Sequence, residues 1–347
     1  MAMVRAIEWR DAPRPMIRLI DQTVLPHEER YLEVTTVDDL VAAIASLAVR
    51  GAPALGAAGA LGVALAMHQG SREGWSDMKL QAEIERVRVA RPTAVNLAWG
   101  VDRVRGAVGA GVDAVLTLAR ALVAEDEAAN RHLSRLGADW ILERTGREQV
   151  RVVTHCNTGA LATTAWGTAY GIIHELHRRG NLGLVYADET RPLLQGARLT
   201  SWELLKDGIP HVVEADGAAA STILRGLVDV AIIGADRITA NGDTANKVGS
   251  VALALACARA GIPFVVAAPS STVDMTTKTG DHIVIEERDG DEVVVVNGRR
   301  VAPEGVQGFN PAFDVTPHDL IAAIVTEKGI VEPATTPDPE LLAAVAG

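Results

Sequence analysis

The sequence predicts an α/β protein in two parts, a helix-rich N-terminal region over residues 1–145 with a short β hairpin and a C-terminal region over 146–347 built on a doubly wound, mainly parallel sheet. Three observations predict it. Apolar residues recur at helical spacing through the first part. From Val150 onward, short β-rich runs alternate with Ala-rich helical stretches, the rhythm of strands joined by crossover helices. A chain of 347 residues that is 48% hydrophobic and 22% charged has enough apolar material for two cores.

The elements follow in order. Trp9 to Val34 reads as the hairpin, and Val37 to Val49, Lys79 to Val89 and Val112 to Leu136 read as helices. The most apolar run, Ala52 to Met67, is broken by Gly56, Gly59 and Gly62, which points to burial in protein instead of lipid. VRVVTH, LGLVYAD, HVVEAD, VDVAIIGAD and PFVVAAP are the expected strands. Several of them run out into a polar or reactive residue: His155 then Cys156, Asp188, Asp216 and Asp236. Ligands of doubly wound sheets lie beyond the carboxyl ends of the strands, so the site is expected there.

Composition narrows the function. A formal net charge of -11 disfavours a general attraction to nucleic acid or to an anionic membrane, both of which need a basic surface. A phosphorylated ligand must therefore be met by local groups. The opening MAMVRAIEWRDAPRPM lacks the apolar stretch of a signal peptide, and Cys156 and Cys257 are too few for a disulfide framework. A reducing, cytoplasmic setting is the expectation.

Three motifs carry no chemistry on inspection. Gly109-x-Gly111-x-x-Ala114 resembles half of a dinucleotide fingerprint, but helical sequence precedes it where a strand is required. His174 and His177 lie three apart on a helix without further ligands, and the adjoining Arg178 and Arg179 mark a solvated face, so no metal is expected. Cys257 lies in ALALACARAG at helical spacing, where cysteine behaves as a small apolar side chain.

Cys156 differs, because it follows a strand and precedes Asn157-Thr158-Gly159 and a helix-forming stretch. A thiol facing helix N-terminal amides can have its pKa lowered and become a base or nucleophile. The alternative is another packed cysteine. Asp236 has the same strand-end placement, its alternative being a turn cap near Asn241-Gly242. Two groups tuned apart are what acid and base chemistry on one substrate needs. Asn246 and Lys247 open an apolar helix and offer an amide, a cation and backbone donors to an anion. Arg50-Gly51-Ala52-Pro53 joins two helical segments, where a glycine turn can present N–H groups beside a guanidinium. Arg91-Pro92-Thr93 also lies between helices. Each arginine or lysine alone is as well explained by a salt bridge or solvation, whereas together they explain how an acidic protein holds a dianion.

The segments RGAPALGAAGALGV, RPTAVNL, THCNTGALAT, ADETRPLLQGARLTSWEL, GADRITANGDTANKVGS, GIPFVVAAPSSTVD and NPAFDVTP resemble the methylthioribose-1-phosphate isomerase family, which is related to the regulatory subunits of eukaryotic translation initiation factor 2B. The match runs from Ile17 to Gly329. It implies a smaller helix-rich domain followed by a Rossmann-like one, commonly as a homodimer, and an isomerase of methionine salvage that needs no cofactor. Carried over by position, Cys156 is the family's catalytic thiol and Asp236 its proton donor. Arg50, Gly51, Ala52, Arg91, Gln195, Asn246 and Lys247 match its substrate contacts. Two departures bear on the 5-substituent of the sugar: Trp166 precedes Gly167 where many relatives have tyrosine, and Gly217-Ala218 stand where a polar residue and methionine are common.

The implied substrate sets the chemistry. A sugar phosphorylated on its anomeric oxygen opens only when the ring oxygen is protonated. Asp236, kept protonated in a poorly solvated site, can supply that proton. Hydrogen then passes from C2 to C1, through an enediol with Cys156 thiolate as base or as a hydride shift that Cys156 stabilises. The phosphate is expected to bridge the two domains through Arg50, Arg91 and Lys247, and closure would exclude water. Related sugars, 5-deoxyribose 1-phosphate and ribose 1,5-bisphosphate, differ only at C5 and remain as substrates. A non-catalytic regulatory subunit would have no need of the Cys156 and Asp236 pair. A nicotinamide dehydrogenase lacks its glycine fingerprint after the first strand.

Overall fold

The computed structural model describes residues 4–91, 95–296, 298–334 and 339–347. Contacts gather these into two compact units: Met1–Ala129 with Thr158–Gly167, and Asn130–Asn157 with Thr168–Gly347.

The first unit opens on three strands, β1 (Ile7–Arg10), β2 (Met16–Ile20) and β3 (Tyr31–Val34), in an antiparallel sheet of that order. The expected hairpin is thus one strand short. Its first turn carries Pro13 and Pro15, which hide strand propensity, while Trp9 pairs with Ile17 and Ile17 in turn with Val34. Helices α1 (Val37–Ala45), α2 (Ala52–Glu73), α3 (Asp77–Arg88) and α4 (Val95–Arg105) follow, and α5 (Val112–Thr145) begins here. Thr36 caps α1 by accepting the Asp39 N–H. The glycines of the apolar run let helices touch: a Cβ on Gly59 would stand 2.4 Å from the Leu97 carbonyl oxygen, and one on Gly100 1.9 Å from that of Gly56. Leu40, Ile44, Leu61, Leu65, Ile84, Val87, Leu97 and Val101 fill the core around α2. No helix among the described residues is long and apolar enough to cross a membrane.

The continuous 34-residue helix α5 runs from one unit into the other, so contacts divide the chain within it. The sequence expectation placed the division at the end of that helix, at 145/146.

The second unit holds β4 (Val150–Thr154), α6 (Ala169–Arg178), β5 (Leu182–Asp188), α7 (Ser201–Lys206), β6 (His211–Glu214), α8 (Ala219–Leu224), β7 (Val230–Ile233), β8 (Arg237–Thr239) and β9 (Thr244–Lys247). It continues through α9 (Ser250–Ala260), β10 (Phe264–Ala267), β11 (Val273–Asp274), α10 (Asp291–Val294), β12 (Val295–Val296) and β13 (Arg299–Arg300). The last elements are β14 (Phe313–Thr316), β15 (Ala323–Thr326), β16 (Gly329–Val331) and α11 (Pro339–Val345). Seven strands form the main sheet in the order β16-β15-β10-β7-β4-β5-β6, all pairs parallel except β15 with β16. From β6 to β15 this is the 3-2-1-4-5-6 order of a Rossmann-like sheet. Both faces are covered, which is why its strands read as unbroken apolar runs. Val152, Val185, Ile232 and Val265 face α5 and α6, whereas Val153, Ala231, Ile233 and Val266 face α8 and α9. A four-stranded sheet, β11-β8-β9-β14, stands beside it.

Candidate functional site

In the second unit strand order reverses between β4 and β7, which are parallel neighbours with Val153 opposite Ala231. Chains leaving those two strands diverge and open a crevice at their carboxyl ends. The residues there are His155 and Cys156 after β4, and Gly234, Ala235 and Asp236 after β7. Both sequence-predicted reactive groups therefore stand at the switch point of one sheet.

Cys156 is buried, and its backbone is left-handed at φ 64°. For a residue with a Cβ that conformation costs about 1–3 kcal/mol and is kept only where the surroundings enforce it. Here its N–H donates to Thr190 Oγ1 at 2.8 Å, and its carbonyl accepts from Thr200 Oγ1 at 2.6 Å. The expected helix after Asn157-Thr158-Gly159 starts later: turns and bends occupy 157–168, and α6 begins at Ala169. The strained turn, not a helix N-terminus, presents the thiol. Asp236 is exposed, against the expectation of a poorly solvated carboxyl, and its N–H donates to the Ala245 carbonyl.

Gln195 lies seven residues past the end of β5, just before a π-helical turn at Gly196–Thr200, a distortion that recurs at functional sites. A Cβ on Gly196 would lie 1.7 Å from the Asp188 carbonyl oxygen, so glycine is needed there. The Gln195 side chain is buried, and its Oε1 has no hydrogen-bond partner. A buried acceptor without a partner is costly, so this oxygen is a candidate contact of the site.

Asn246 and Lys247 end β9 and pair with Asp314 and Phe313 of β14. They do not open the helix as expected; α9 starts at Ser250 behind Gly249, at φ 111°. The helix's first donors, the N–H groups of Gly249 and Val251, go to Asp314 Oδ2 at 2.8 and 3.3 Å, so a carboxylate of the chain takes the anion position. Lys247 is buried, with Nζ donating to the Ala312 carbonyl at 2.7 Å and lying 4.7 Å from the Phe313 ring centroid. An ammonium has three donors, and this carbonyl takes one of them. Nearby in sequence, Val248 helps to line a cavity of about 130 Å³ with Arg191, Pro192, Val293, Phe309, Asn310 and Pro311.

Residues to which sequence reasoning gave no role tie these turns together. His155 is 1% exposed, with Nδ1 2.8 Å from Asp188 Oδ2 and Nε2 2.8 Å from the Val248 carbonyl oxygen. Burial pushes the Asp188 carboxyl up to about 6, against the opposing pull of His155. His155 sits above the usual histidine range: burial pulls it down, and the Asp188 hydrogen bond and charge outweigh that. Asp216 accepts the N–H groups of Thr190 and Arg191, both at 2.7 Å. Nitrogen and carboxylate atoms of His155, Asp188 and Asp216 lie within 4.8 Å of one another, as metal ligands would. Yet both imidazole nitrogens and both Asp216 oxygens are already engaged, leaving only Asp188 Oδ1 without a partner. This is a hydrogen-bonded acid–base network, closed on itself. The one available signal was that His155, Asp188 and Asp216 each stand at a strand end.

The first unit holds the other sequence-predicted residues. Gly51 caps α2 at φ 92°, without a side-chain cap, and a Cβ there would strike Ala162, 2.2 Å from its carbonyl oxygen. That carbonyl accepts the Ala54 N–H. The RGAP turn, Arg50 to Pro53, is thus laid against the chain that follows Cys156 and Asn157, and α2 opens at Ala52 with its first turn free of a side-chain cap. Arg50 and Arg91 are half-buried. Pro92 and Thr93 lie outside the described residues. His174 and His177 fall on α6, where Arg178 and Arg179 both bond Glu175, and Cys257 is fully buried in α9 with its thiol pushed up to about 12.

Comparison with known proteins places these features. The pattern of the Initiation factor 2 subunit family matches residues 48–333. The chain is 51% identical to the methylthioribose-1-phosphate isomerase of Anaeromyxobacter dehalogenans, over 94% of each chain. It is 52% identical, over 96% of its own length, to a probable bifunctional methylthioribose-1-phosphate isomerase/methylthioribulose-1-phosphate dehydratase of Nocardia farcinica, of which it spans 60%. Among solved structures, the 5-methylthioribose 1-phosphate isomerase of Pyrococcus horikoshii superposes with a TM-score of 0.88 at 37% identity, over 99% of this chain and 97% of that one. A structure titled translation initiation factor eIF-2B, subunit delta, from A. fulgidus gives 0.86 at 39% identity, over 98% and 99%.

Proposed function

Since the chain belongs to the Initiation factor 2 subunit family, in which its full-length relatives at about half identity are isomerases, we propose that it converts 5-methylthioribose 1-phosphate to 5-methylthioribulose 1-phosphate. The observation that carries the reading is the pairing of Cys156 with Asp236 off adjacent parallel strands at the switch point. A regulatory subunit makes no use of a strained, buried thiol and a carboxyl at adjacent strand ends. In this reading Asp236 protonates the ring oxygen. Cys156 governs hydrogen transfer from C2 to C1. Asp236 is exposed, and in this reading the bound sugar supplies its cover. Gln195 Oε1 and Asn246 take hydroxyls. Arg50, the Gly51 and Ala52 amides, Arg91 and Lys247 are assigned to phosphate. The cavity walled by Pro192, Val293, Phe309 and Pro311 is assigned to the methylthio group, which those largely apolar walls suit. No cofactor enters this scheme. A homodimer in the cytoplasm completes the proposal, the former measurable by light scattering.

Turnover of 5-methylthioribose 1-phosphate, 5-deoxyribose 1-phosphate and ribose 1,5-bisphosphate, measured side by side, tests the assignment. The methylthio sugar is expected to have the highest kcat/KM, and no turnover of any of the three would overturn the isomerase reading.

Phosphate recognition makes its own prediction. Charge-assisted hydrogen bonds to a buried anion contribute about 1.5 to 3 kcal/mol each, roughly ten-fold to a hundred-fold in affinity. Lys247→Ala and Arg91→Ala should each raise KM by about that much, while Arg178→Ala, on the solvated face of α6, leaves it near the parent value. Product binding as tight as the parent's in the first two variants would place the phosphate elsewhere.

A further inference from the structure

The His155 imidazole meets an acceptor on each side, and the two acceptors belong to different parts of the site. Val248 carbonyl oxygen can only accept, so Nε2 carries a hydrogen. On the other side Nδ1 and Asp188 Oδ2 share a proton at 2.8 Å, and the bond persists whichever of them holds it. The imidazole joins the turn that carries Cys156 to the turn that follows Lys247.

We propose that His155 is a positioning residue of the isomerisation, its Nδ1 bond to Asp188 fixing the Cys156 turn and its Nε2 bond to Val248 fixing the end of the strand that bears Asn246 and Lys247. The inference rests on the isomerase reading above. Three further observations support it. Asp188 anchors the Cys156 side, because its carbonyl accepts from Thr190 Oγ1, the same oxygen that receives the Cys156 N–H. Thr190, itself left-handed at φ 65°, is held in turn by Asp216. On the other side the imidazole is seated against Gly249, where a Cβ would lie 2.8 Å from its Cε1. The charged groups around the pair are Asp216, Asp314 and, on the far side of Asp188, Glu214. Asp216 accepts backbone N–H groups with both oxygens and Asp314 with Oδ2, whereas Asp188 Oδ2 is the carboxylate oxygen bonded to the imidazole.

The two bonds can be removed separately. A glutamine amide reaches the place of Nε2, and an asparagine amide that of Nδ1. His155→Gln keeps the Val248 bond and is expected to lower kcat by about 100-fold with KM within about three-fold, since a misplacement of the order of 1 Å at the reacting groups costs that much. His155→Asn keeps the Asp188 bond and is expected to raise KM about ten-fold or more while kcat falls little. Because His155→Gln leaves a buried carboxyl without its partner, the double variant His155→Gln/Asp188→Asn is measured beside it and should show the same kcat loss. If these variants do not fold, Asp188 decides: Asp188→Asn retains a side chain able to bond Nδ1 and should keep at least about ten times the kcat of Asp188→Ala. Equal changes in kcat and KM across the His155 variants, or no gap between the two Asp188 variants, overturn the proposal while the parent remains an isomerase. A parent without turnover overturns the isomerase reading and this inference with it.

Discussion

Cys156→Ser is expected to reduce kcat by about 10³-fold or more, the range in which loss of a proton-transfer group falls, with the fold intact. Serine is nearly isosteric, and the bonds that hold this turn come from the backbone N–H and carbonyl of residue 156, not from its side chain. The left-handed conformation is equally open to serine, so the melting temperature should stay within a few degrees. What is lost is the thiol's acidity and polarisability, which a hydroxyl cannot replace near neutral pH. A group that acts on the transition state lowers kcat and kcat/KM together, and product affinity should be unchanged. Turnover within ten-fold of the parent would remove Cys156 from the chemistry. The parent's reaction in D2O bears on the route: deuterium at C1 of the product marks proton transfer through an exchangeable base and excludes a purely direct hydride shift.

Asp236→Asn should cost kcat about 10²- to 10⁴-fold. The amide copies the carboxyl's shape but carries no proton that it can give to the ring oxygen. Since Asp236 is exposed and its backbone bond to Ala245 is retained, stability should not change measurably. Normal turnover in this variant, or a loss that tracks a lower melting temperature, would show that ring opening is assisted from elsewhere.

Strand ends were the most legible part of the sequence, because a strand buried on both faces is an unbroken apolar run and the first polar residue after it marks where it surfaces. That was enough to bring out Cys156 and Asp236. What lay beyond local pattern was misread or missed. Thr244 to Lys247 has little strand propensity, and only pairing with β8 and β14 makes it a strand, so by local pattern Asn246 and Lys247 read as a helix start. The segment Thr158–Gly167 belongs with the first unit through contacts to residues more than a hundred positions away, such as Ala162 with Ala54, which no periodicity encodes. His155 looked like a step on the way to Cys156. Its two bonds reach 33 and 93 positions along the chain.

The burial of Cys257 gives the chain a practical property. With its thiol pushed up to about 12, roughly one part in 10⁴ of that cysteine is thiolate at pH 8, and α9 must open before a reagent reaches it. Alkylation of the native protein with iodoacetamide therefore spares Cys257, so that any label taken up falls on Cys156 without an engineered cysteine-free background. Mass spectrometry can follow its labelling, and protection by bound product then reads occupancy of the crevice directly, even for sugars that the protein binds and does not turn over.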